Sequence, residues 1–186
     1  MKIGIDLDDT LTDIQDDLLK LAFEYDKTLR GKGIINFDKP FIGEKFDWSL
    51  EERDYFFKNY RLEVVKKARL RINALETLNE LKRRGYEIII ITARSDKYYS
   101  DPYQISYDYL VQKKIPFDKL IVNSLDKRKV CEEENISYFI DDNLDNCLNV
   151  ATLNIKVFCL DIGLYKNISS EVIKISDLKE LLKYIR

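Results

Sequence analysis

Lys2-Ile3-Gly4-Ile5-Asp6-Leu7-Asp8-Asp9-Thr10 joins a short apolar strand, Lys2 to Ile5, to three acidic side chains within four residues. Carboxylates crowded at a strand end repel one another and need positive charge beside them. A hard divalent cation such as Mg²⁺ suits oxygen ligands of this kind. Asp6 and Asp8 point the same way where the backbone stays extended, so both can serve one site.

A second stretch repeats the pattern. Tyr138 to Ile140 is another apolar run, and Asp141, Asp142 and Asn143 follow it. In a parallel sheet the C-terminal ends of the strands share one edge, where ligands bind. Taken alone, Asp141 to Asn143 also fits a helix N-cap. Two acid-tipped strands together favour one shared acidic pocket.

Between these stretches the pattern from residue 73 onward alternates helix and strand. Asn73 with Glu76 reads as a capping box, Leu75, Leu78 and Leu81 follow at helical spacing, and Gly85 reads as the helix stop. Tyr86 to Ile91 is short, apolar and β-branched, which predicts a buried parallel strand. Asp101-Pro102 starts a helix reaching about Lys114. A strand over Leu120 to Val122, a short helix over Lys127 to Glu134, a helix over Leu144 to Leu153 and a strand over Ile155 to Leu160 complete the rhythm. Ser176 is expected to cap a final helix ending near Ile185. Such β-α units predict an α/β fold, a mainly parallel Rossmann-like sheet with helices on both faces.

Residues 14–71 break that rhythm. They carry amphipathic helical stretches, a capping box at Ser49 and Glu52, and an aromatic loop with Phe37, Phe41, Phe46 and Trp48. This predicts a small helical cap over 14–71, inserted after the first strand of a core made of residues 1–13 and 72–186. Its aromatics either face a ligand or form the cap's own core; Trp48, at a helix entrance, is the choice for ligand contact.

Composition narrows the function. The chain has 186 residues, enough for one domain with a small insertion. Its net charge of −2 offers no extended footprint for nucleic acid or an anionic membrane. The basic runs Lys66, Lys67, Arg69, Arg71 and Lys82 to Arg84 read as solvated faces. Cys131, Cys147 and Cys159 are unpaired in spacing and sit in apolar segments, as buried free thiols of a reducing compartment do. With no signal-peptide pattern and no long apolar span, a cytoplasmic location is expected. Histidine is absent, which excludes Ser-His-Asp and Cys-His catalysis and histidine-bound zinc. Asp, Glu, Lys, Tyr, Cys and Ser remain to do chemistry.

Four elements now stand in order: Asp6-Leu7-Asp8-Asp9-Thr10 after the first strand, Thr92-Ala93-Arg94 after the most apolar strand, Lys127 at a helix start, and Asp141-Asp142 after a later strand. This series resembles the D-x-D-x-T, Thr/Ser, Lys and D-D motifs of the haloacid dehalogenase-like hydrolase superfamily. Ile91-Thr92-Ala93-Arg94, Phe117-Asp118-Lys119-Leu120, Asp126-Lys127 and Phe139-Ile140-Asp141-Asp142 resemble in particular the small 5′-nucleotidase-like proteins, including the 5′(3′)-deoxyribonucleotidase group. The resemblance implies a Mg²⁺-dependent phosphomonoester hydrolase that acts through an aspartyl-phosphate on a small phosphorylated metabolite such as a nucleoside monophosphate. It implies Asp6 as nucleophile and metal ligand, and Asp8 as general acid and base with its carbonyl on the metal. Asp141 and Asp142 would be further metal ligands, in an order left open. Thr92 and Lys127 would hold the phosphoryl group. Thr10, Ala93, Arg94 and Trp48 are expected on the substrate side. Thr92 as a turn cap and Lys127 as a surface lysine are the plain alternatives.

Three other functions compete. A phosphatase for sugar phosphates or polynucleotide ends would share every motif. A catalytically silent phosphate-binding protein would share the fold. A receiver module would need its phosphorylated Asp on the third strand, where Leu120 to Val122 ends in Asn123.

Overall fold

The computed structural model describes residues 1–185. Six parallel strands form the central sheet: β1 (Lys2–Ile5), β4 (Glu87–Ile91), β5 (Lys119–Ile121), β6 (Tyr138–Asp141), β7 (Lys156–Leu160) and β8 (Ile173–Ile175). Their spatial order is β5-β4-β1-β6-β7-β8. A two-stranded antiparallel ribbon, β2 (Thr12–Asp13) with β3 (Arg69–Leu70), stands apart. The helices are α1 (Gln15–Leu29), α2 (Ile42–Lys45), α3 (Leu50–Lys67), α4 (Ala74–Arg83), α5 (Pro102–Gln112), α6 (Lys127–Glu133), α7 (Leu144–Ala151) and α8 (Leu181–Tyr184).

β1 lies at the middle of the sheet because both its faces are apolar. Alternation along β4 shows the two layers directly. Ile88 and Ile90 join the core that also holds Ile3, Ile5 and Phe158, while Ile89 and Ile91 join the one that holds Phe139, Val157 and Cys159. Gly4 is required by close approach: a Cβ there would lie 2.8 Å from Cδ1 of Ile91. All three cysteines are buried free thiols. Among the described residues no helix is long and apolar enough to cross a membrane.

Ile5 pairs with Ile90 on one side and with Ile140 on the other. The backbone N–H of Asp6 donates to the carbonyl of Ile140 at 3.0 Å. The acidic ends of β1 and β6 are thereby held side by side, with Thr92 one residue beyond β4.

The ribbon of β2 and β3 closes a helical insertion made of α1, α2 and α3. α3 begins at a full capping box: the Ser49 hydroxyl accepts from Glu52 N, and the Glu52 carboxylate accepts from Ser49 N. Trp48 departs from its expected role. It is 5% exposed and packs inside the insertion, its ring stacked on Phe46 at 4.6 Å and edge-on to Tyr25 at 5.0 Å. Its indole N–H donates to Oδ1 of buried Asp26 at 2.9 Å. A buried indole needs both an apolar bed and a hydrogen-bond acceptor, and Asp26 supplies the second. Trp48→Ala is therefore expected to destabilise the protein by about 3–5 kcal/mol in chemical unfolding, with KM for a nucleoside monophosphate and for p-nitrophenyl phosphate left in their original ratio.

Three further expectations are corrected. Asn73 does not cap α4 with its side chain. Its φ is 63°, its side-chain amide donates to Asp177 at 2.8 Å, and Glu76 pairs with Lys179 instead. The last helical segment is capped by Asp177, not Ser176, in a capping box with Glu180 that opens a 3₁₀ turn before α8. β8 had no counterpart in the expected series, and the parallel sheet is one strand wider.

Candidate active site

Each acid of the first motif has a different fate. Asp6, at the tip of β1, is 5% exposed and accepts a hydrogen bond from the Lys127 ammonium on Oδ1. Lys127 opens α6, whose N-cap Asp126 accepts from Lys129 N at 3.1 Å. Its Nζ also donates to Oδ2 of Asp141 at 2.7 Å. Lys127 is thus a buried cation between two strand-end carboxylates, not a surface lysine. Burial works against its charge, but Asp141 and Asp6 hold it protonated well above the ordinary lysine range. Burial also pushes Asp6 up to about 7, against the pull of Lys127 and with Asp141 and Asp8 adding to the rise.

Asp8 is held from the opposite side. The Arg94 guanidinium donates to it through Nη2 to Oδ1 at 2.6 Å and through Nε to Oδ2 at 3.1 Å. Nη2 of Arg61, on α3, reaches Oδ2 at 3.3 Å. Burial alone would raise the Asp8 carboxyl, but Arg94 and then Arg61 overcome it and hold the group below the usual carboxylate range. The expectation for Arg94 thus changes: it lines the cavity, yet its buried guanidinium is committed to Asp8, as a planar fork on a carboxylate should be.

Asp9 is a turn residue. It sits at φ 64°, its Oδ1 accepts from Ile14 N at 3.1 Å and its Oδ2 from Gln15 Nε2 at 2.8 Å. Burial raises it to about 6. Thr10 is fully buried and does not line the cavity. Its hydroxyl donates to Oδ1 of Asp142 at 2.9 Å and accepts from Asp142 N at 3.0 Å. Thr10 positions Asp142 across the sheet edge.

The remaining acids converge. Asp6, Asp141 and Asp142 each offer one carboxylate oxygen within 4.8 Å of the others. Asp141 is well occupied, since Oδ1 accepts from Asn143 N at 2.8 Å and Oδ2 from Asn146 at 3.1 Å as well as from Lys127. Asp142 is raised well above its ordinary value, first by burial and then by the neighbouring charges of Asp141 and Asp6. A buried carboxylate that carries this penalty gains most from a cation. The all-oxygen donor set fits Mg²⁺. The side chain of Asp8 is turned toward Arg94 and lies outside this trio.

These groups line one cavity of about 190 Å³. Its floor is the strand edge with Asp6, Asp8, Thr92, Ala93, Lys127, Asp141 and Asp142. Thr92 is almost fully buried, and its hydroxyl accepts from Arg94 N at 3.3 Å, which closes the turn after β4. The insertion supplies the facing wall through Ile14, Gln15, Leu18, Phe41, Ile42, Phe57 and Arg61. Phe41 alone among the four singled-out aromatics reaches the cavity. Phe37 is exposed, and Phe46 and Trp48 are core.

Phe57 and Arg61 escaped the reading of the sequence. They lie four apart on α3, hence on one helix face, and the Arg61 guanidinium sits 5.9 Å from the Phe57 ring centroid. That spacing was visible; which face of α3 meets the cavity was not.

No protein-family model matches the chain. It is 29% identical over 163 residues to a nucleotidase of Clostridium acetobutylicum, covering 87% of this chain and 80% of that protein. It is 30% identical over 151 residues to a Bacillus cereus protein named as a candidate nucleotidase, covering 76% of each. A haloacid dehalogenase-like hydrolase from Streptococcus pneumoniae superposes with a TM-score of 0.72 over 100% of this chain and 98% of the other, at 18% identity. With the D-x-D-x-T, Thr, Lys and D-D elements assembled around one cavity and the fold of a haloacid dehalogenase-like hydrolase, the chain belongs to one family with these nucleotidase-named bacterial proteins.

Proposed function

We propose that the protein is a Mg²⁺-dependent phosphomonoesterase of the nucleotidase kind that works through an aspartyl-phosphate, with residues 14–71 as a cap that reads the leaving group. One observation carries this reading. Asp6 is oriented by Lys127 through one oxygen, and among the described residues its Oδ2 accepts no hydrogen bond, while Asp8 stands two residues on with its carboxylate fixed by Arg94.

Asp6 Oδ2 attacks phosphorus, and the bond from phosphorus to the ester oxygen breaks. The leaving oxygen takes its proton from Asp8. Water then attacks the phosphoryl group and gives its proton to Asp8; the bond to Asp6 breaks, and inorganic phosphate leaves. Arg94 keeps Asp8 ionised, the form needed for the second half. For the first half, the negative phosphoryl group beside Asp8 raises its affinity for a proton. Lys127 and Thr92 face the phosphoryl oxygens. Asp6, Asp141 and Asp142 would hold Mg²⁺, with the Asp8 carbonyl as a further ligand. The metal supplies the charge neutralisation that lets a dianion approach a carboxylate.

The leaving group would lie against Phe41 and Phe57. An aromatic face worth roughly 1–3 kcal/mol per stacked base favours a nucleoside over a sugar. Phosphate release measured with nucleoside monophosphates, sugar phosphates and 3′-phosphorylated oligonucleotides tests both levels. Nucleoside monophosphates should give the highest kcat/KM, and exhaustive chelation should stop release until Mg²⁺ is returned. Undiminished release after chelation would remove the metal from the reading; preference for a sugar phosphate would remove the nucleoside.

A further inference from the structure

The cavity is electrically two-sided. On one side Lys127 faces Asp6, Asp141 and Asp142, an excess of negative charge that calls for a metal. On the other side two guanidiniums, Arg94 and Arg61, share the single carboxylate of Asp8. Asp9 lines the same cavity, and its charge and that of Asp6 also act on Arg61, so what distinguishes this side is the hydrogen bonding of the two guanidiniums.

The two arginines are not equivalent. Arg94 comes from the core, has a fully buried side chain, and makes the short contacts to Asp8. Arg61 comes from the insertion, its side chain is 26% exposed, and its one contact to Asp8 is the long one. Its Nε is buried without a hydrogen-bond partner. The guanidinium carbon lies 5.9 Å from the Phe57 ring centroid, and both residues line the cavity. Asp8 is already neutralised by Arg94, so the charge and donors of Arg61 are available to something else.

We propose that Arg61 is a substrate-binding residue that takes a phosphate oxyanion of the substrate, making the insertion part of the anion site and not only a wall around the leaving group. This rests on the phosphomonoesterase reading above and names the group that recognises the anion. A guanidinium suits the task because its donors lie in one plane and fit two oxygens of a phosphate at once. The oxyanion belongs either to the phosphoryl group over Asp6 or to a second phosphate on the leaving group, and two probes distinguish these.

The test is equilibrium binding, so it does not depend on turnover. Dissociation constants for inorganic phosphate and for a nucleoside 3′,5′-bisphosphate are measured calorimetrically with Mg²⁺ on the native protein, Arg61→Gln and Arg61→Lys. Losing a charged hydrogen bond should weaken binding about 10–100-fold in Arg61→Gln, with part of it recovered in Arg61→Lys. Weakening of both probes assigns the transferred phosphoryl group; weakening of the bisphosphate alone assigns the second phosphate. Unchanged affinity for both in Arg61→Gln would overturn the proposal. So would equal loss in Arg61→Lys and Arg61→Gln accompanied by a fallen melting temperature, the mark of a merely structural residue. If the native protein binds phosphate yet releases none from any ester, the phosphatase reading fails while the anion site stands.

Discussion

Asp6→Asn is expected to lower phosphate release by about three orders of magnitude or more, the scale seen when a nucleophile is removed from a catalytic unit, while Asp8→Asn is expected to stall with phosphate bound to the protein. The amide at position 6 keeps the shape but lacks the negative oxygen that attacks phosphorus, so no covalent phosphoenzyme forms. At position 8 the nucleophile is intact. With p-nitrophenyl phosphate the leaving group departs without help from a proton, so the first half proceeds. The second half still needs a base for water, and the amide cannot accept that proton. A burst of p-nitrophenol near one equivalent, and acid-stable radioactivity from labelled phosphate in Asp8→Asn but not in Asp6→Asn, are the expected readouts. Equal, mild losses in the two variants would dismiss the roles given to both residues. The arrangement at Asp8 sharpens the contrast. Arg94 donates through two nitrogens to its carboxylate; an Asn oxygen can keep one of those bonds but not the charge, so the variant should lose stability, and its melting temperature is measured beside the trapping experiment.

Much of this site was legible because its signals are local. A run of apolar residues ending in acid is a statement about five or six neighbours, and it occurs twice, at Asp6 and at Asp141. Parallel pairing then brings the two ends together without further information. The unread parts depend on what is distant. Trp48 precedes a capping box, which suggested a rim position. What buries it is Asp26 and Tyr25, more than twenty residues earlier in α1. Asn73 has the side chain of a cap, but at φ 63° its amide is carried toward Asp177, 104 positions away. β8 is Ile173-Lys174-Ile175, three residues with a lysine at the centre. So short an edge strand has no periodicity to separate it from loop. Arg94 was visible as a cation after the Thr, but its partner Asp8 lies 86 positions back, in the turn that follows the neighbouring strand β1. Arg61 illustrates the harder limit: helix spacing puts it with Phe57, and only the placing of α3 against α1 and the sheet edge turns that pair toward the cavity.

Lys127→Met should cost both activity and stability, and the stability cost should depend on pH in a stated direction. The substitution removes the buried ammonium that lies between Asp6 and Asp141. Removing one partner from a buried ion pair costs about 3–5 kcal/mol because the other charge is stranded; here two carboxylates are stranded, with Asp142 beside them. In the native protein burial pushes Asp6 up to about 7 from its ordinary value of 3.8. A carboxyl whose folded-state value is raised contributes stability that is fully present below about pH 4. That contribution is lost as pH rises through the folded-state value, since the folded form then holds a proton that the unfolded form has released. Without Lys127 the remaining influences on Asp6 all raise it, so the decline should extend to higher pH. The expected result, from urea unfolding in EDTA, is a small penalty for Lys127→Met at pH 5 and a large one at pH 8. Adding Mg²⁺ at pH 8 should return part of the loss, because a cation again offsets Asp6, Asp141 and Asp142. Phosphate release with Mg²⁺ should still fall about 100-fold or more, the scale of losing one donor to a developing oxyanion, since the metal replaces the charge but not the ammonium facing the phosphoryl group. A penalty equal at pH 5 and pH 8 would show that Lys127 acts there by packing alone.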